Sequence, residues 1–184
     1  QKLGLDAAKI YCTFVGRLTQ IKRPDRLLDI ASAMQARGVA LEFLVAGEGE
    51  LFAESQIRAM AEKLPVTFLG WRKDIDDLFA ASDIAILTSD NEGIPLTLIQ
   101  AAQAGLPIIA PKVGSISDIV ENDVTGFLTS PAPGAMASAL SALATDEKLR
   151  IQLGGAGEKR ASELFSLERM LRDHTEIYHL AHNK

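Results

Sequence analysis

The chain has 184 residues, a length that suits one domain with a core large enough to fold by itself. It is 47% apolar and 23% charged, as in ordinary soluble globular proteins, and its formal net charge of −5 argues against a general nucleic-acid-binding surface. From the pattern of apolar runs we expect neither a membrane span nor a secretory signal. The single cysteine, Cys12, excludes a disulfide framework, and we expect a cytoplasmic protein in which Cys12 packs inside a strand.

Short apolar runs alternate with helical stretches along the chain. Six of these runs are typical of strands, namely KIYCTFVG, LEFLVAG, VTFLG, DIAILTS, LPIIAP and GFLTS. Several lack the polar alternation of a half-exposed strand, which favours strands that are buried on both faces of a parallel sheet.

The stretches between these runs have helical periodicity. In PDRLLDIASAMQARG the apolar residues Leu27, Ile30, Ala31 and Met34 share one face, and Gly38 falls where a C-terminal cap is expected. Further helices are predicted over ELFAESQIRAMAEKL, DIDDLFAAS, LTLIQAAQAG and SISDIVEN.

The tail from Ala132 onward is predicted to be helical, in three pieces with breaks near Thr145 and Phe165. We find no internal repeat and no convincing linker, so residues 1–184 are expected to form a single domain. The alternation predicts an α/β fold, a doubly wound Rossmann-like parallel sheet of about six strands with helices on both faces and a helical C-terminal tail.

Ligands of a doubly wound sheet bind beyond the carboxyl ends of the strands, so the residues that follow each strand form the candidate site. After the first three predicted strands these residues are Gly16, Arg17, Lys22, Gly47, Gly70, Trp71 and Arg72. Arg17 and Lys22 place two cations at this edge, a pair suited to a diphosphate. The alternative is a solvated loop with two ordinary surface charges, and their spacing does not separate the two interpretations.

The segment GEG at 47–49 has the G-x-G spacing of a dinucleotide-binding turn. The third position of that fingerprint is Phe52, however, and no acidic residue ends the next strand to hold a ribose. The sequence therefore disfavours a nicotinamide dinucleotide.

After the fourth strand comes SDNEGIPLTLIQAAQAGLPII, in which Pro95 suits the first turn of a helix because its missing N–H would be unpaired there. The backbone N–H groups predicted to face a ligand at this helix start belong to Gly93, Ile94, Leu96 and Thr97. Together with the helix dipole they favour a bound phosphate.

Glu92 lies just beyond this predicted anion site. A carboxylate is a poor phosphate ligand but a good acceptor for sugar hydroxyls, so the combination indicates a nucleotide sugar. The alternative role of Glu92 is to offset the helix dipole and nothing more.

Four segments carry a family resemblance: FVGRLTQIKRPDRLL, FLVAGEGE, VTFLGWRKDIDDLFAASDIAILTS and NEGIPLTLIQAAQAGLPIIAPKVGSISDIVENDVTGFLTSP. From about Ile10 to Pro131 they resemble, in colinear order, the C-terminal half of retaining glycosyltransferases of group 1 (family 4), which have the two-domain GT-B fold. The tail segment FSLERMLRDHTEIY resembles the closing helices of that family. The resemblance implies that Arg17 and Lys22 hold the donor diphosphate and that Glu92 contacts the donor sugar. It implies that the base is contacted by Gly70, Trp71 and Arg72.

The sequence departs from the family pattern at three places. The family has a second Glu, eight residues after the first, that binds the ribose hydroxyls; here that residue is Gln100, whose amide can still accept one hydroxyl hydrogen bond. The family loop Gly-Gly-x-Pro-Glu is GSISD here, with Ser115, Ser117 and Asp118 at the changed positions. Pro95 stands in place of a common glycine and removes one phosphate donor.

The resemblance also implies a longer enzyme. A GT-B enzyme closes two such domains over a cleft, and its N-terminal domain binds the acceptor and often supplies a catalytic histidine. We therefore expect this chain to be a donor-binding half that is inactive without its missing N-terminal partner domain. Any peripheral membrane contact is expected to be made by that N-terminal domain. His174, His179 and His182 all lie on the last predicted helix, without a complete metal-ligand spacing, and are expected at the surface.

The implied reaction transfers a sugar from a nucleoside-diphosphate sugar to an acceptor, with retention at the anomeric carbon. Arg17, Lys22 and the helix start would stabilise the leaving diphosphate, so neither a metal nor another cofactor is expected, and Glu92 would orient the sugar. Two alternatives stay open, a non-catalytic nucleotide-binding module and a GT-B-like nucleotide-sugar epimerase.

Overall fold

The computed structural model describes residues 4–6 and 8–182, and all six predicted apolar runs form strands of one parallel sheet. The strands are β1 (Ile10–Val15), β2 (Leu41–Ala46), β3 (Val66–Gly70), β4 (Ile84–Ile86), β5 (Ile108–Pro111) and β6 (Gly126–Thr129). They lie in the order β3-β2-β1-β4-β5-β6, so the chain moves outward from β1 to one edge and returns to the centre at β4. The doubly wound sheet predicted from the sequence is confirmed.

Helices connect the strands at the predicted places, and others follow β6. They are α1 (Pro24–Ala36), α2 (Phe52–Ala61), α3 (Ile75–Ala80), α4 (Leu96–Gln103), α5 (Ile116–Ile119), α6 (Pro133–Thr145), α7 (Glu147–Leu164) and α8 (Leu167–His182). The tail consists of α6, α7 and α8, and its breaks at Asp146 and Phe165 confirm the predicted division into three helices.

A short 3-10 turn over Gln20–Lys22 precedes α1, at a place where the sequence indicates only a loop. The N–H of Lys22 donates to the carbonyl oxygen of Thr19 at 3.0 Å. Arg23 then adopts a left-handed φ of 53° and leads into Pro24, the first residue of α1. Because proline has a fixed φ and no N–H to satisfy, the first turn of a helix tolerates it well.

The apolar face predicted for α1 is fully buried. Leu27, Ile30, Ala31 and Met34 are each no more than 1% exposed. Burial of a Leu, Ile or Met side chain stabilises a fold by about 1.5–3 kcal/mol, so this face attaches α1 firmly to the sheet. Gly38 follows the helix with a φ of 68°, the left-handed conformation for which glycine is suited.

Strand β2 is covered on both of its faces. Leu44 packs with Tyr11 and with Leu78 of α3, whereas Phe43 and Val45 belong to the main core on the other side. Since successive residues of a strand point to opposite faces, this arrangement requires helices on both faces of the sheet.

The loops that follow β1, β2 and β3 meet at the carboxyl edge of the sheet. The N–H of Gly16 donates to the carbonyl of Ala46 at 3.0 Å, and the N–H of Gly47 donates to the carbonyl of Gly70 at 2.8 Å. Gly47 has a φ of 137°, and a Cβ there would lie 2.0 Å from the carbonyl oxygen of Gly16, so only glycine fits. The fold therefore places the predicted ligand-binding loops side by side.

Cys12 is fully buried in β1 and is a free cysteine. Burial raises the pKa of its thiol well above the usual value, because the thiolate would be desolvated there. A thiol in this state is poorly reactive, which confirms the predicted packing role.

Two adjacent glycines in α7 provide a test of the packing. A Cβ on Gly154 would lie 1.9 Å from the carbonyl oxygen of Gly105, whereas a Cβ on Gly155 would meet no atom within 4 Å. Alanine is favoured over glycine inside a helix by about 1 kcal/mol. We expect Gly155→Ala to raise the melting temperature and Gly154→Ala to lower it, as measured by calorimetry. Equal shifts in the same direction would contradict the close approach of α7 to Gly105.

Candidate functional site

Helix α4 begins at Leu96, the first residue of the predicted helical stretch LTLIQAAQAG. Pro95 was expected inside the first turn, but it is the N-cap, with an extended backbone conformation (φ −74°, ψ 103°). Its carbonyl oxygen accepts from the N–H of Leu98 at 2.9 Å and from that of Ile99 at 3.4 Å. With Pro95 as its cap, the N-terminus of α4 is open at the carboxyl edge of the sheet.

Four backbone N–H groups at this helix start are available to a ligand. In the part of the chain that the structure describes, they donate no hydrogen bond to protein groups, and they belong to Gly93, Ile94, Leu96 and Thr97. Unpaired N–H groups at a helix N-terminus attract an anion, since their partial positive charges add to the helix dipole.

The structure joins two of the residues predicted for the donor site, Lys22 and Glu92, in an ion pair. The ammonium of Lys22 donates to Oε1 of Glu92, and the hydroxyl of Ser89 donates to the same oxygen at 2.6 Å. The Glu92 side chain is 9% exposed and that of Lys22 is 21% exposed. Ser89, which is buried, was not predicted to belong to the site.

Two hydrogen bonds hold the Lys22 turn against the loop that follows β4. The N–H of Asp90 donates to the carbonyl of Ile21 at 2.8 Å, and the hydroxyl of Thr88 donates to the carbonyl of Lys22 at 2.7 Å. These contacts bring the ammonium of Lys22 and the carboxylate of Glu92 to the same point on the rim.

Arg26 of α1 is a second residue that the sequence interpretation missed. Its guanidinium is buried, and it donates to the carbonyl of Thr88 at 2.5 Å and to Oδ1 of Asp90 at 2.6 Å. Arg26 lies on the same helical face as Ile30 and Met34, so a cation on an apolar face was the signal that could have identified it.

Asp90 also receives a second cation, because Arg23 Nη1 lies 3.0 Å from its Oδ2. Hydrogen bonds from Arg26 and then from Arg23 hold the pKa of the Asp90 carboxyl below its usual value. The two arginines thus favour the ionised carboxylate and fasten the loop that carries Glu92.

The loop after β1 leaves Arg17, one of its two predicted cations, exposed to solvent. The Arg17 side chain is exposed, and among residues 4–6 and 8–182 it donates no hydrogen bond to the protein. The backbone nearby is fixed, since the N–H of Leu18 donates to the carbonyl of Glu48 at 3.0 Å. The Arg17 guanidinium is therefore positioned at the rim and open to a ligand.

The loop after β3 presents an exposed aromatic ring. Gly70 has a left-handed φ of 64°, and the following Trp71 is 64% exposed with the ammonium of Lys73 5.6 Å from its ring centroid. The N–H of Trp71 donates to Oε1 of Glu48 at 3.4 Å, while Arg72 pairs with Asp74 at 2.5 Å. This loop joins the β2 loop at one end of the rim.

Gln100 lies in a different setting from Glu92. It is exposed on α4 and lines a groove of about 590 Å³ between α4 and α8, together with apolar residues such as Leu96, Phe165 and Met170. In the described part of the chain, no hydrogen bond joins Gln100 to the Lys22–Glu92 pair. Gln100 therefore lies in the groove between α4 and α8, apart from the Lys22–Glu92 pair.

The loop after β5 supports Glu92 from the side. The N–H of Ser115 lies 3.4 Å from the carbonyl oxygen of Glu92, and a Cβ on Gly114 would lie 1.8 Å from that oxygen. Gly114 has a φ of 52°, so both its conformation and the lack of space require glycine.

Within 4–6 and 8–182, no group of three or more His, Cys, Asp or Glu side chains could hold a metal ion. His174, His179 and His182 are exposed on α8, as predicted. Over the same residues, no helix combines the length and the apolar character that crossing a membrane requires.

The Asp90 ion pairs predict a pH dependence of stability. Because the folded pKa of Asp90 lies below its unfolded value of about 3.9, the pairs stabilise the fold fully above that pH. Their contribution is lost as the pH falls through the depressed folded pKa. We expect Asp90→Asn to melt below the parent at pH 7 and the difference to close toward pH 2, as followed by circular dichroism. The control Asp76→Asn, in the first turn of α3, should show a smaller difference at pH 7, and a difference for Asp90→Asn that persists at pH 2 would contradict the assignment.

Comparison with known proteins identifies the family. The family described as Glycosyl transferases group 1 matches residues 9–146, which include the Lys22–Glu92 pair and every strand from β1 to β6. A D-inositol 3-phosphate glycosyltransferase of Rhodococcus erythropolis is 35% identical over 156 residues, which cover 76% of this chain and 35% of that protein. The UDP-Gal:alpha-D-GlcNAc-diphosphoundecaprenol alpha-1,3-galactosyltransferase of Escherichia coli is 32% identical over 131 residues, which cover 68% of this chain and 34% of that protein.

A solved structure has the same fold. The Anabaena protein Alr3699/HepE, crystallised in complex with UDP, is 25% identical with a TM-score of 0.86, over 94% of this chain and 49% of that one. The chain spans about a third of the length of the two curated relatives, 34% and 35%. By the extent of the family match and the identity to these relatives, the chain belongs to the group 1 glycosyltransferases.

Proposed function

We propose that this domain binds the nucleoside-diphosphate-sugar donor of a retaining, metal-independent glycosyltransferase. The observation that carries the proposal is the meeting of Lys22, Glu92 and the open N-terminus of α4 at one rim. Cationic and N–H groups beside a carboxylate fit a ligand with a diphosphate at one end and hydroxyls at the other. The UDP bound to the Anabaena structure and the UDP-galactose named for the E. coli relative support this ligand class.

In the proposed reaction, the bond between the anomeric carbon and the diphosphate oxygen breaks, the acceptor hydroxyl oxygen bonds to that carbon, and the hydroxyl proton passes to the leaving diphosphate. Negative charge develops on the leaving phosphate oxygen, where Arg17, Lys22 and the N–H groups of α4 stabilise it. These positive groups take the role that a metal ion has in other transferases. Glu92 accepts hydrogen bonds from the sugar hydroxyls and orients the anomeric carbon.

The remaining proposed contacts concern the nucleoside. The exposed Trp71 ring, with Gly70 and Arg72 beside it, would meet the base, and the Gln100 amide would accept a hydrogen bond from the ribose. Gly16 and Gly47 leave the backbone close to the ligand.

We further propose that the acceptor site belongs to a second domain, without which this domain is inactive. Exposed apolar side chains on α8 support such a partner, each 50% to 72% exposed, namely Leu167, Met170, Leu171, Ile177 and Tyr178. Ile94 and Leu96 extend this surface to the start of α4, with exposures of 56% and 71%. An apolar surface beside the donor rim fits a domain that closes over it. The E. coli relative is named for a lipid-linked acceptor, so we assign any membrane contact to the second domain.

Nucleotide binding by the Arg17 variant tests the diphosphate site. We expect the domain to bind UDP or GDP weakly in calorimetry, since one wall of the cleft is present, and Arg17→Ala to weaken binding about tenfold or more. That loss corresponds to one charge-assisted hydrogen bond of roughly 1.5–3 kcal/mol. The melting temperature should be nearly unchanged because Arg17 is exposed. Arg172→Ala on α8, whose arginine side chain is 70% exposed, is the charge-matched control and should bind as the parent does. No heat with either nucleotide at millimolar concentration would overturn the proposal.

The stereochemistry of the full-length protein separates the proposed function from its two alternatives. With the UDP-sugar that binds, water can replace the acceptor, and proton NMR should detect the sugar first released with the donor's anomeric configuration. EDTA should leave the rate unchanged if charge stabilisation comes from protein groups. An epimerase would change the configuration of a ring carbon, and a non-catalytic module would leave the donor intact.

A further inference from the structure

In the free domain, the Lys22 ammonium and the Glu92 carboxylate are paired with each other. Oε1 of Glu92 accepts from both the Lys22 ammonium and the Ser89 hydroxyl, and the pair is largely shielded from solvent. Shielding strengthens the attraction between opposite charges, because water screens it less. A diphosphate that draws on Lys22 must therefore compete with the Glu92 carboxylate.

We propose that the Lys22–Glu92 ion pair is a resting contact that couples the two ends of the donor site. This inference rests on the proposed function. When the diphosphate takes a share of the Lys22 ammonium, the Glu92 carboxylate loses its counter-charge and becomes the stronger acceptor for the sugar hydroxyls. Binding of the diphosphate thereby frees the Glu92 carboxylate to accept from the donor sugar. A nucleoside diphosphate that lacks the donor sugar leaves this carboxylate without a partner for its charge.

Ser89 keeps Glu92 in place during this exchange. Its buried hydroxyl lies 2.6 Å from Oε1, and its loop is held by the N–H of Asp90 on the carbonyl of Ile21 at 2.8 Å. Within the described residues, Oε2 of Glu92 accepts no hydrogen bond, so Oε2 is the oxygen left for a sugar hydroxyl. Glu92 can change its partner without changing its rotamer.

A nucleoside diphosphate that lacks the donor sugar, such as UDP, is the informative probe. UDP has no donor sugar for Glu92 to contact, so the Glu92 carboxylate only competes with the diphosphate for the Lys22 ammonium. We expect Glu92→Gln to bind UDP three- to tenfold more tightly than the parent, because the neutral amide releases the ammonium. Removal of a simple repulsion between Glu92 and the diphosphate would also raise the UDP affinity of Glu92→Gln. The gain in affinity must therefore be measured both in the parent and in the Lys22→Ala variant.

The experiment is a double-mutant cycle in calorimetric UDP affinity, with the parent, Glu92→Gln, Lys22→Ala and the double variant. A gain from Glu92→Gln that disappears in the Lys22→Ala background supports the coupling. An equal gain in UDP affinity in both backgrounds would assign the gain to repulsion alone and overturn the proposal. An unchanged or lower affinity of Glu92→Gln in the parent background would overturn it as well. Glu50→Gln, a carboxylate in the loop after β2 that pairs with the N–H of Gln20 at 3.4 Å, is the control and should show no dependence on Lys22.

Carbon-13 NMR of the parent is a second measurement that does not depend on how well the variants fold. UDP should move the Lys22 Cε and Glu92 carboxyl resonances together, with the same midpoint, whereas a Glu92 signal that stays constant while Lys22 moves would overturn the coupling. If the parent binds no nucleotide at all, the proposed function fails and the coupling fails with it. Clear UDP binding with independent Lys22 and Glu92 overturns the coupling alone.

Discussion

The burial of a parallel sheet on both faces is the constraint from which the other features follow. All strands from β1 to β6 point the same way, so the loops that follow them emerge at one edge. Backbone groups in those loops need hydrogen-bond partners close by, and neighbouring strand ends and loops supply them. The N–H of Gly16 donates to the carbonyl of Ala46, and the N–H of Gly47 donates to the carbonyl of Gly70. The main chain thus sets the outline of the site before any side chain contributes.

Charged side chains then connect the loop after β1 to the loop after β4. A buried cation is costly unless it is paired and hydrogen-bonded, and Arg26 meets this requirement through the carbonyl of Thr88 and the carboxylate of Asp90. Lys22 and Glu92 form the outer contact of the same junction. The groups that we assign to opposite ends of the donor therefore lie on a support that exists before the ligand binds, which reduces the entropy lost on binding.

Elements that depend on local pattern could be predicted from the sequence. The six strands follow from apolar runs, and α1 with its cap at Gly38 follows from a helical apolar face. The rim was predictable too, since Lys22 and Glu92 both come after strand ends. Their ion pair was not, because it depends on side-chain rotamers and on the paths of two loops whose residues are 70 positions apart.

The features of the site that the local sequence does not determine have similar physical causes. Proline fixes φ but not ψ, so the residue type of Pro95 cannot distinguish the N-cap from the first helical turn. The environment of Gln100 depends on how α8 crosses α4, which is a matter of tertiary packing. Arg26 was detectable in principle, as a cation on the apolar face of α1, but its partners Thr88 and Asp90 were not.

Close backbone contacts at Gly47 and Gly114 have a consequence for how this site can diversify. Each glycine lies against the carbonyl oxygen of another loop, Gly16 and Glu92 respectively, so the loop paths are fixed by atoms that every residue type shares. Side chains that project from the rim, such as that of Trp71, can then be exchanged during evolution with little disturbance of those paths. The same framework can acquire new ligand preferences by single substitutions, whereas the two glycines would tolerate almost none.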